Sequence, residues 1–387
     1  MQDPLNVPKP AWLDREDVNI FSDAIAGFIE KECTPNAERW EAAGIVDREL
    51  WFKGGEAGLL VPSCPEEYGG AGGDWRHDYV FHMQASMRGV GGWGASLHNS
   101  IIGPYIWNYG SEEQKHALLP QMVSGELVGA IAMTEPHAGS DLQAIKTTAV
   151  KDGNGYRING AKTFITNGGT ANLIIVVAKT DASKGYDGTS LFLVETDGLE
   201  GFRRGKLLDK VGLKAQDTAE LFFDNVWVPA SALLGPEEGQ GFIQLMQQLP
   251  QERLQIAVQG VGVMKRALIE TIAYVKEREA FGRPIIKFQN TQFKLAECKT
   301  KATLAEVFVH HCSERLLAGT LDVSTASMAK YWVSDVQNEV VDECVQLHGG
   351  YGYMNEYPIA KMWRDSRVQR IYGGTNEIMK LLIARSL

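Results

Sequence analysis

The sequence predicts an α+β fold in three successive parts: an N-terminal helical domain over residues 1–125, a middle antiparallel β-barrel or sandwich domain over 126–235, and a C-terminal helical domain over 236–387. Three observations carry this reading. Apolar residues recur at three- and four-residue spacing up to about Gly125, shift to strand-like runs, and return to helical spacing after Gly235. The middle stretch holds hairpin signals and at most short helices, which favours an antiparallel sheet over a parallel βαβ arrangement. The stretch Arg253–Val275 is apolar on nearly every face, the pattern of a helix at the centre of a bundle or at an oligomer interface.

In the first part, Val18, Ile20, Phe21, Ile25, Phe28 and Ile29 mark a helix, with Asp14 and Asp17 as a candidate N-cap pair. Pro62, Pro65 and the Gly69–Gly73 cluster break this part into several helices and one long loop. In the middle part, Asp152-Gly-Asn-Gly155 and Asn159-Gly160 are both hairpin candidates, because Asn-Gly suits tight turns between strands. Leu173–Ala178, Ser190–Glu195 and Ala219–Val228 supply three further strands. In the last part, long helices are expected over Thr291–Leu317 and Thr325–Leu347.

Composition excludes several classes. A formal charge of −10 disfavours a general nucleic-acid binder, so any polyanionic ligand must meet locally placed Arg, Lys or helix N-termini. The five cysteines are scattered with no metal-ligand spacing, which predicts reduced thiols and no structural metal. No apolar run approaches the roughly 20 residues of a membrane span. Met1–Lys9 is polar and lacks a secretory pattern, so the expected compartment is a bacterial cytoplasm or, after loss of a transit peptide, a mitochondrial matrix. Gly89-Val-Gly-Gly-Trp-Gly94 matches G-x-G-x-x-G but follows a helical pattern, where a dinucleotide fingerprint needs a strand before it and a helix after it. P-loop and G-x-S-x-G motifs are absent from the sequence. Arg385-Ser386-Leu387 reads better as a helix end than as a peroxisomal address.

Two C-terminal glycine clusters stand out. Gln346-Leu-His-Gly-Gly-Tyr-Gly352 follows a long helix pattern, and Tyr372-Gly-Gly-Thr-Asn-Glu377 precedes a final one. Either could be a cap and turn, or an anion site at a helix N-terminus. Together with Ala132-Met-Thr-Glu-Pro-His-Ala-Gly-Ser-Asp141, Phe164-Ile-Thr-Asn-Gly168, Arg278-Glu-Ala-Phe-Gly282 and Gln289, they resemble, in order and spacing, the acyl-CoA dehydrogenase flavoproteins over essentially the whole chain. The resemblance implies the same helical–β–helical division with a C-terminal four-helix bundle, a homotetramer, and FAD as cofactor. It implies flavin contacts from Met133 and Thr134, from Phe164, Ile165 and Thr166, and from Thr375 and Glu377. Ser140 is implied near the CoA. Arg278, Phe281, Gln289, Gln346, Leu347, His348, Gly349 and Gly350 resemble the segments that hold the FAD pyrophosphate and adenosine across a subunit boundary.

One departure from the family pattern bears on the chemistry. Many members carry a catalytic Glu directly after the Tyr of the tail motif, and this chain has Gly373 there. The long-chain and isovaleryl branches instead place the Glu on the central helix of the third domain. Leu249-Pro-Gln-Glu-Arg-Leu254 matches that place, so the resemblance makes Glu252 the base and brings the chain nearest the long-chain branch. Taken without the family, Pro-x-Glu reads as a helix start with a carboxylate complementing the dipole. The implied reaction is α,β-desaturation of an acyl-CoA: Glu252 takes the α-proton, the flavin takes the β-hydrogen, and the Gly373 N–H with a ribityl hydroxyl stabilises the thioester oxygen. The substrate is expected along Ser140, Ile243, Pro250, Gln251, Arg253 and Gly374, with Arg253 facing the CoA phosphates. Leu97, His98, Gly103, Pro104, Ile243 and Leu249 are expected to set pocket depth. An electron-transferring flavoprotein is the implied electron acceptor. The rival readings are an acyl-CoA oxidase, a nitroalkane-oxidase-like or monooxygenase flavoenzyme, and a flavin- or acyl-CoA-binding protein without turnover.

Overall fold

The computed structural model describes residues 3–387 and follows the three-part order. Helices Glu16–Phe28, Arg48–Glu56, Trp75–Arg88, Gly103–Tyr109 and Glu112–Ser124 form most of the first part. The expected acidic cap does not form. Arg15 occupies the N-cap with no side-chain bond, and Asp17 sits in the first turn, ion-paired with Arg15 at 2.8 Å. Reciprocal caps form elsewhere, from Asp74 with His77 and from Ser111 with Gln114. Gly89 is the left-handed end of helix Trp75–Arg88, and Gly92 and Gly94 lie where an added Cβ would run into Ala215 and Asn167, so the motif follows from a helix end and close packing.

The middle part is one seven-stranded sheet: β1 (Gly129–Ala132), β2 (Thr148–Asp152), β3 (Gly155–Thr166), β4 (Leu173–Lys179), β5 (Thr189–Glu195), β6 (Phe202–Leu207) and β7 (Thr218–Pro229). The strand order is β1-β4-β2-β3-β7-β6, with β5 on β4. The sheet is mixed, not wholly antiparallel: β1 runs parallel to β4, and β2 touches β4 in parallel at Thr148 and Lys179. All seven residues of β4 are buried, and a strand covered on both faces is written as the continuous apolar run seen at Leu173–Ala178. The β2–β3 turn falls at Gly153-Asn154. Asn159-Gly160 is not a turn. It lies inside β3 at a register shift against β7, and a Cβ on Gly160 would meet Thr147 Oγ1 at 2.3 Å.

The C-terminal part packs helices Gly241–Glu277, Gln289–Leu317 and Val323–His348 together, with Asn376–Ala384 against the third of them as a fourth. Pro250 lies within the 37-residue first helix, so Glu252 stands mid-helix and the dipole explanation for it is removed. A short hairpin, Glu279–Ala280 with Arg283–Pro284, was not expected from the sequence. Its turn residues Phe281 and Gly282 both take positive φ, 53° and 75°. All five cysteines are free and buried. Among the described residues no helix is long and apolar enough to cross a membrane.

Candidate active site

Glu252 is 4% exposed on the central helix Gly241–Glu277. Its Oε1 accepts a hydrogen bond from the Tyr105 hydroxyl at 2.9 Å, across a separation of 147 residues. Burial pushes the Glu252 carboxyl up to about 7, while the Tyr105 bond and the charge of Arg253 pull it down. Ile256 lies one turn further along the same face, and a Cβ on Gly373 would come within 2.5 Å of Ile256 Cδ1. The tail turn therefore stacks on the helix face that presents Glu252. Gly373 and Gly374 have φ of 64° and 90°, so a Glu side chain at 373 would be both strained and crowded. Glu252 stands one helical turn from Ile256 on the same helix.

The turn is pinned from below. Buried Lys330 donates to Gly374 O at 2.7 Å and Asn376 Oδ1 at 2.9 Å, and Asn376 donates to Asp335 Oδ1 at 2.8 Å. Thr375 caps the last helix by accepting from the Ile378 N–H, and Glu377 is exposed in its first turn. Among the described residues the Gly373 N–H has no acceptor, which leaves it free to donate.

Arg253 is placed differently from the expectation. It is 3% exposed and donates to Ser327 Oγ at 3.3 Å inside the bundle, so it does not face a solvent-side phosphate. Half-buried Gln251 donates to Ser100 O at 3.2 Å beside half-buried Pro250, and Ile243 is 45% exposed at the start of the helix. Two of the residues expected to set pocket depth have structural duties. His98 bonds Met122 O and the Gly129 N–H, and a Cβ on Gly103 would meet Val61 and Trp107 at 2.6 and 2.7 Å. Gly103 is a close approach to those two side chains.

A second group lies on the middle sheet. Met133 and Thr134 follow β1, and the Thr163 N–H donates to Thr134 O at 2.9 Å, which joins this stretch to the end of β3. Beneath them Lys162 and Glu135 form a buried ion pair at 2.9 Å, and Lys162 also donates to Met133 O and Val177 O. The register shift between Lys162 and Ile165 pushes Phe164 out of the ladder, 68% exposed with φ 59°. Ile165 is 2% exposed, so it offers only its main chain to a ligand. Thr166 is half-buried and Ser140 exposed.

The third group sits at one end of the helical part. Arg278, Gln346, Leu347, His348, Gly349 and Gly350 line one cleft of about 460 Å³ with Tyr274, Tyr351 and Met354. The Arg278 guanidinium lies over the Tyr351 ring at 5.8 Å. Gly349 has φ 60°, and a Cβ on Gly349 or Gly350 would meet nothing within 4 Å. His348 is buried, bonds Cys344 O at 2.8 Å and stacks on Tyr274, so its ring builds the wall. Phe281, 95% exposed, and exposed Gln289 lie outside the cleft lining.

Sequence reasoning missed Tyr105, Lys162, Glu135 as a counter-ion, and Lys330. Lys162 left a faint signal, a charge within an otherwise strand-like run. Tyr105 left none, since its partner is fixed only by the packing of two domains.

A fold of helical, sheet and helical layers, with a buried mid-helix carboxylate against a glycine turn, defines a class before any comparison. The comparisons agree with it. The acyl-CoA dehydrogenase N-terminal, middle and C-terminal domain models match residues 15–126, 130–226 and 239–387. The chain belongs to the acyl-CoA dehydrogenase family and is an oxidoreductase of that type. It is 52% identical to the long-chain specific acyl-CoA dehydrogenase, mitochondrial, of Sus scrofa over 95% of this chain and 86% of that one. An acyl-CoA dehydrogenase crystal structure from Geobacillus kaustophilus superposes with a TM-score of 0.94 at 50% identity, over 96% and 98% of the two chains. A glutaryl-CoA dehydrogenase from Mycobacterium smegmatis, solved in complex with FADH2, superposes at 0.90 with 30% identity, over 100% and 98%.

Proposed function

We propose that the chain is an FAD-dependent acyl-CoA dehydrogenase that desaturates long- or branched-chain acyl-CoA thioesters at Cα–Cβ, with Glu252 as the base. The observation that carries this is Glu252 itself: a carboxylate removed from water, raised to about 7, on the helix face where the Gly373 turn packs. A base near neutrality matches the working pH of general base catalysis. Glu252 takes the α-proton, and the Gly373 N–H, which has no acceptor among the described residues, donates to the thioester oxygen as negative charge develops there. Such a donor typically contributes about 2.7–4 kcal/mol to the transition state. Burial of the site keeps water from competing for the proton.

The residues fit the cofactor. Met133, Thr134, Phe164, Ile165, Thr166, Thr375 and Glu377 would hold FAD from one subunit, with Phe164 turned outward at a backbone cost that a ligand contact explains. Arg278, Phe281, Gln289 and the 346–350 segment would hold its phosphates and adenosine from a neighbouring subunit. The open space over Gly349 and Gly350 and the exposed Arg278 suit an anionic group there. When bound, FAD supplies the acceptor for the β-hydrogen. Ser140, Ile243, Pro250, Gln251 and Gly374 stand as the substrate contacts. A homotetramer and an electron-transferring flavoprotein as acceptor follow from the motif resemblance, and the identity to the long-chain enzyme supports the chain-length preference.

Anaerobic titration of the holoenzyme with butanoyl-, isovaleryl-, octanoyl- and palmitoyl-CoA tests the reading through flavin absorbance. Bleaching by palmitoyl-CoA or isovaleryl-CoA at lower concentration than by butanoyl-CoA is expected. Bleaching by none of the four would overturn it. The E252Q enzyme should lose roughly 10²–10⁴-fold in kcat.

A further inference from the structure

We infer that Tyr105 is the positioning residue of the base: its hydroxyl fixes the Glu252 carboxylate and stabilises the charged form that accepts the proton. This rests on Glu252 being the base.

The argument begins with what surrounds Glu252. Its carboxylate has one side-chain hydrogen bond among the described residues, from Tyr105, which is itself 0% exposed. A carboxylate taken out of water needs such a donor, and an O–H donated to an anion stabilises the anion over the acid. The titratable and charged groups near it are few. Tyr105 and Tyr109 come from helix Gly103–Tyr109, Arg253 from its own helix, and Lys330 from helix Val323–His348 behind Arg253. Arg253 bonds Ser327 and Tyr109 bonds Gln247, so neither holds the carboxylate. Burial also raises the Tyr105 phenol well above its ordinary value, so it stays protonated and remains a donor wherever the enzyme would work.

The phenol is held rigidly. Helix Gly103–Tyr109 follows a π-helical turn, His98–Ile102, that is tied on three sides. Asn99 accepts from the Val61 N–H at 2.8 Å and donates to Leu59 O at 3.0 Å. Ser100 donates to buried Asp78 at 2.6 Å, and its carbonyl accepts from Gln251, the neighbour of Glu252. The base and its donor are therefore locked to each other twice, through Tyr105 directly and through Gln251 to the turn that precedes it. Such fixing of a reacting group's orientation is what lowers the cost of reaching the reactive geometry.

The test uses purified FAD-loaded enzyme with palmitoyl-CoA and an artificial electron acceptor across pH 5.5–9.5. Y105F keeps the ring volume and removes the hydroxyl. Its kcat/KM profile should shift to higher pH by about one unit, giving about tenfold lower activity on the acid limb and recovery towards wild type at pH 9. Y109F, which keeps Tyr105, should leave the profile where it is. Flavin content and thermal midpoint of each variant report folding. A Y105F profile that overlays wild type, or a loss equal at every pH, would overturn the inference alone. An E252Q enzyme with wild-type turnover would overturn the base assignment and this inference with it.

Discussion

Glu252 carries a cost in the folded protein that can be read as stability. Its pKa rises from 4.5 to about 7 on burial, so between those values the folded state binds a proton that the unfolded state has released. Stability from this group is therefore present below about pH 4.5 and is lost as pH rises through 7. Glutamine carries no charge at any pH. E252Q should raise thermal stability at pH 8, by about 1–3 kcal/mol, and the gain should shrink towards zero near pH 4.5. Calorimetry of both proteins at the two pH values checks the sign. Gly373 offers a second prediction. Restoring the usual carboxylate as G373E forces a side chain to φ 64° and within reach of Ile256, so it should destabilise by about 1–3 kcal/mol and not rescue E252Q. Glu252 stood out in the sequence as the candidate base only because Gly373 stands where many relatives carry a Glu. Pro-x-Glu taken alone favoured a helix-start carboxylate, and the 37-residue helix removed that reading by running straight through Pro250.

At the scale of elements, β3 shows how one strand can bury a charged pair and, two residues on, turn a side chain out to the surface. Lys162 points inward to pair with Glu135 and holds Met133, and two residues later the ladder slips and Phe164 turns out. K162M leaves Glu135 buried without its counter-ion, a loss of about 3–5 kcal/mol. It also frees the Met133 stretch. Lower thermal midpoint and weaker flavin retention on gel filtration are expected together. The three long helices and most strands were legible, because apolar periodicity survives wherever a face is buried. Asn159-Gly160 misled for a physical reason: glycine at a close backbone approach to Thr147 writes the same letters as a turn. The parallel β1–β4 pair was written in the continuous burial of β4, but a run of that length does not name its partners.

Across the whole molecule, the residues grouped by resemblance fall into separate places. Glu252 stands on the central helix with the tail turn packed near it at Ile256, the Phe164 patch lies on the sheet, and the Arg278–Gly350 cleft opens at the end of the bundle. Phe281 projects from a hairpin there almost fully exposed. R278A should weaken FAD retention while leaving the fold of the subunit intact, because Arg278 is exposed and, among the described residues, its guanidinium makes no hydrogen bond or ion pair and lies over the face of Tyr351. Flavin absorbance after dialysis, with light scattering for assembly, reads this. In a chain of net charge −10 such a cation has disproportionate influence on where an anionic cofactor can settle. Sequence could group these residues by order along the chain. It could not show which of them meet.

The most direct measurement holds the FAD-loaded protein with palmitoyl-CoA in D2O, without oxygen or electron acceptor, and follows deuterium entering the carbon beside the thioester by mass spectrometry. Wild type should exchange that position, and E252Q should not exchange above the rate in buffer. Equal exchange by both proteins would contradict the central claim.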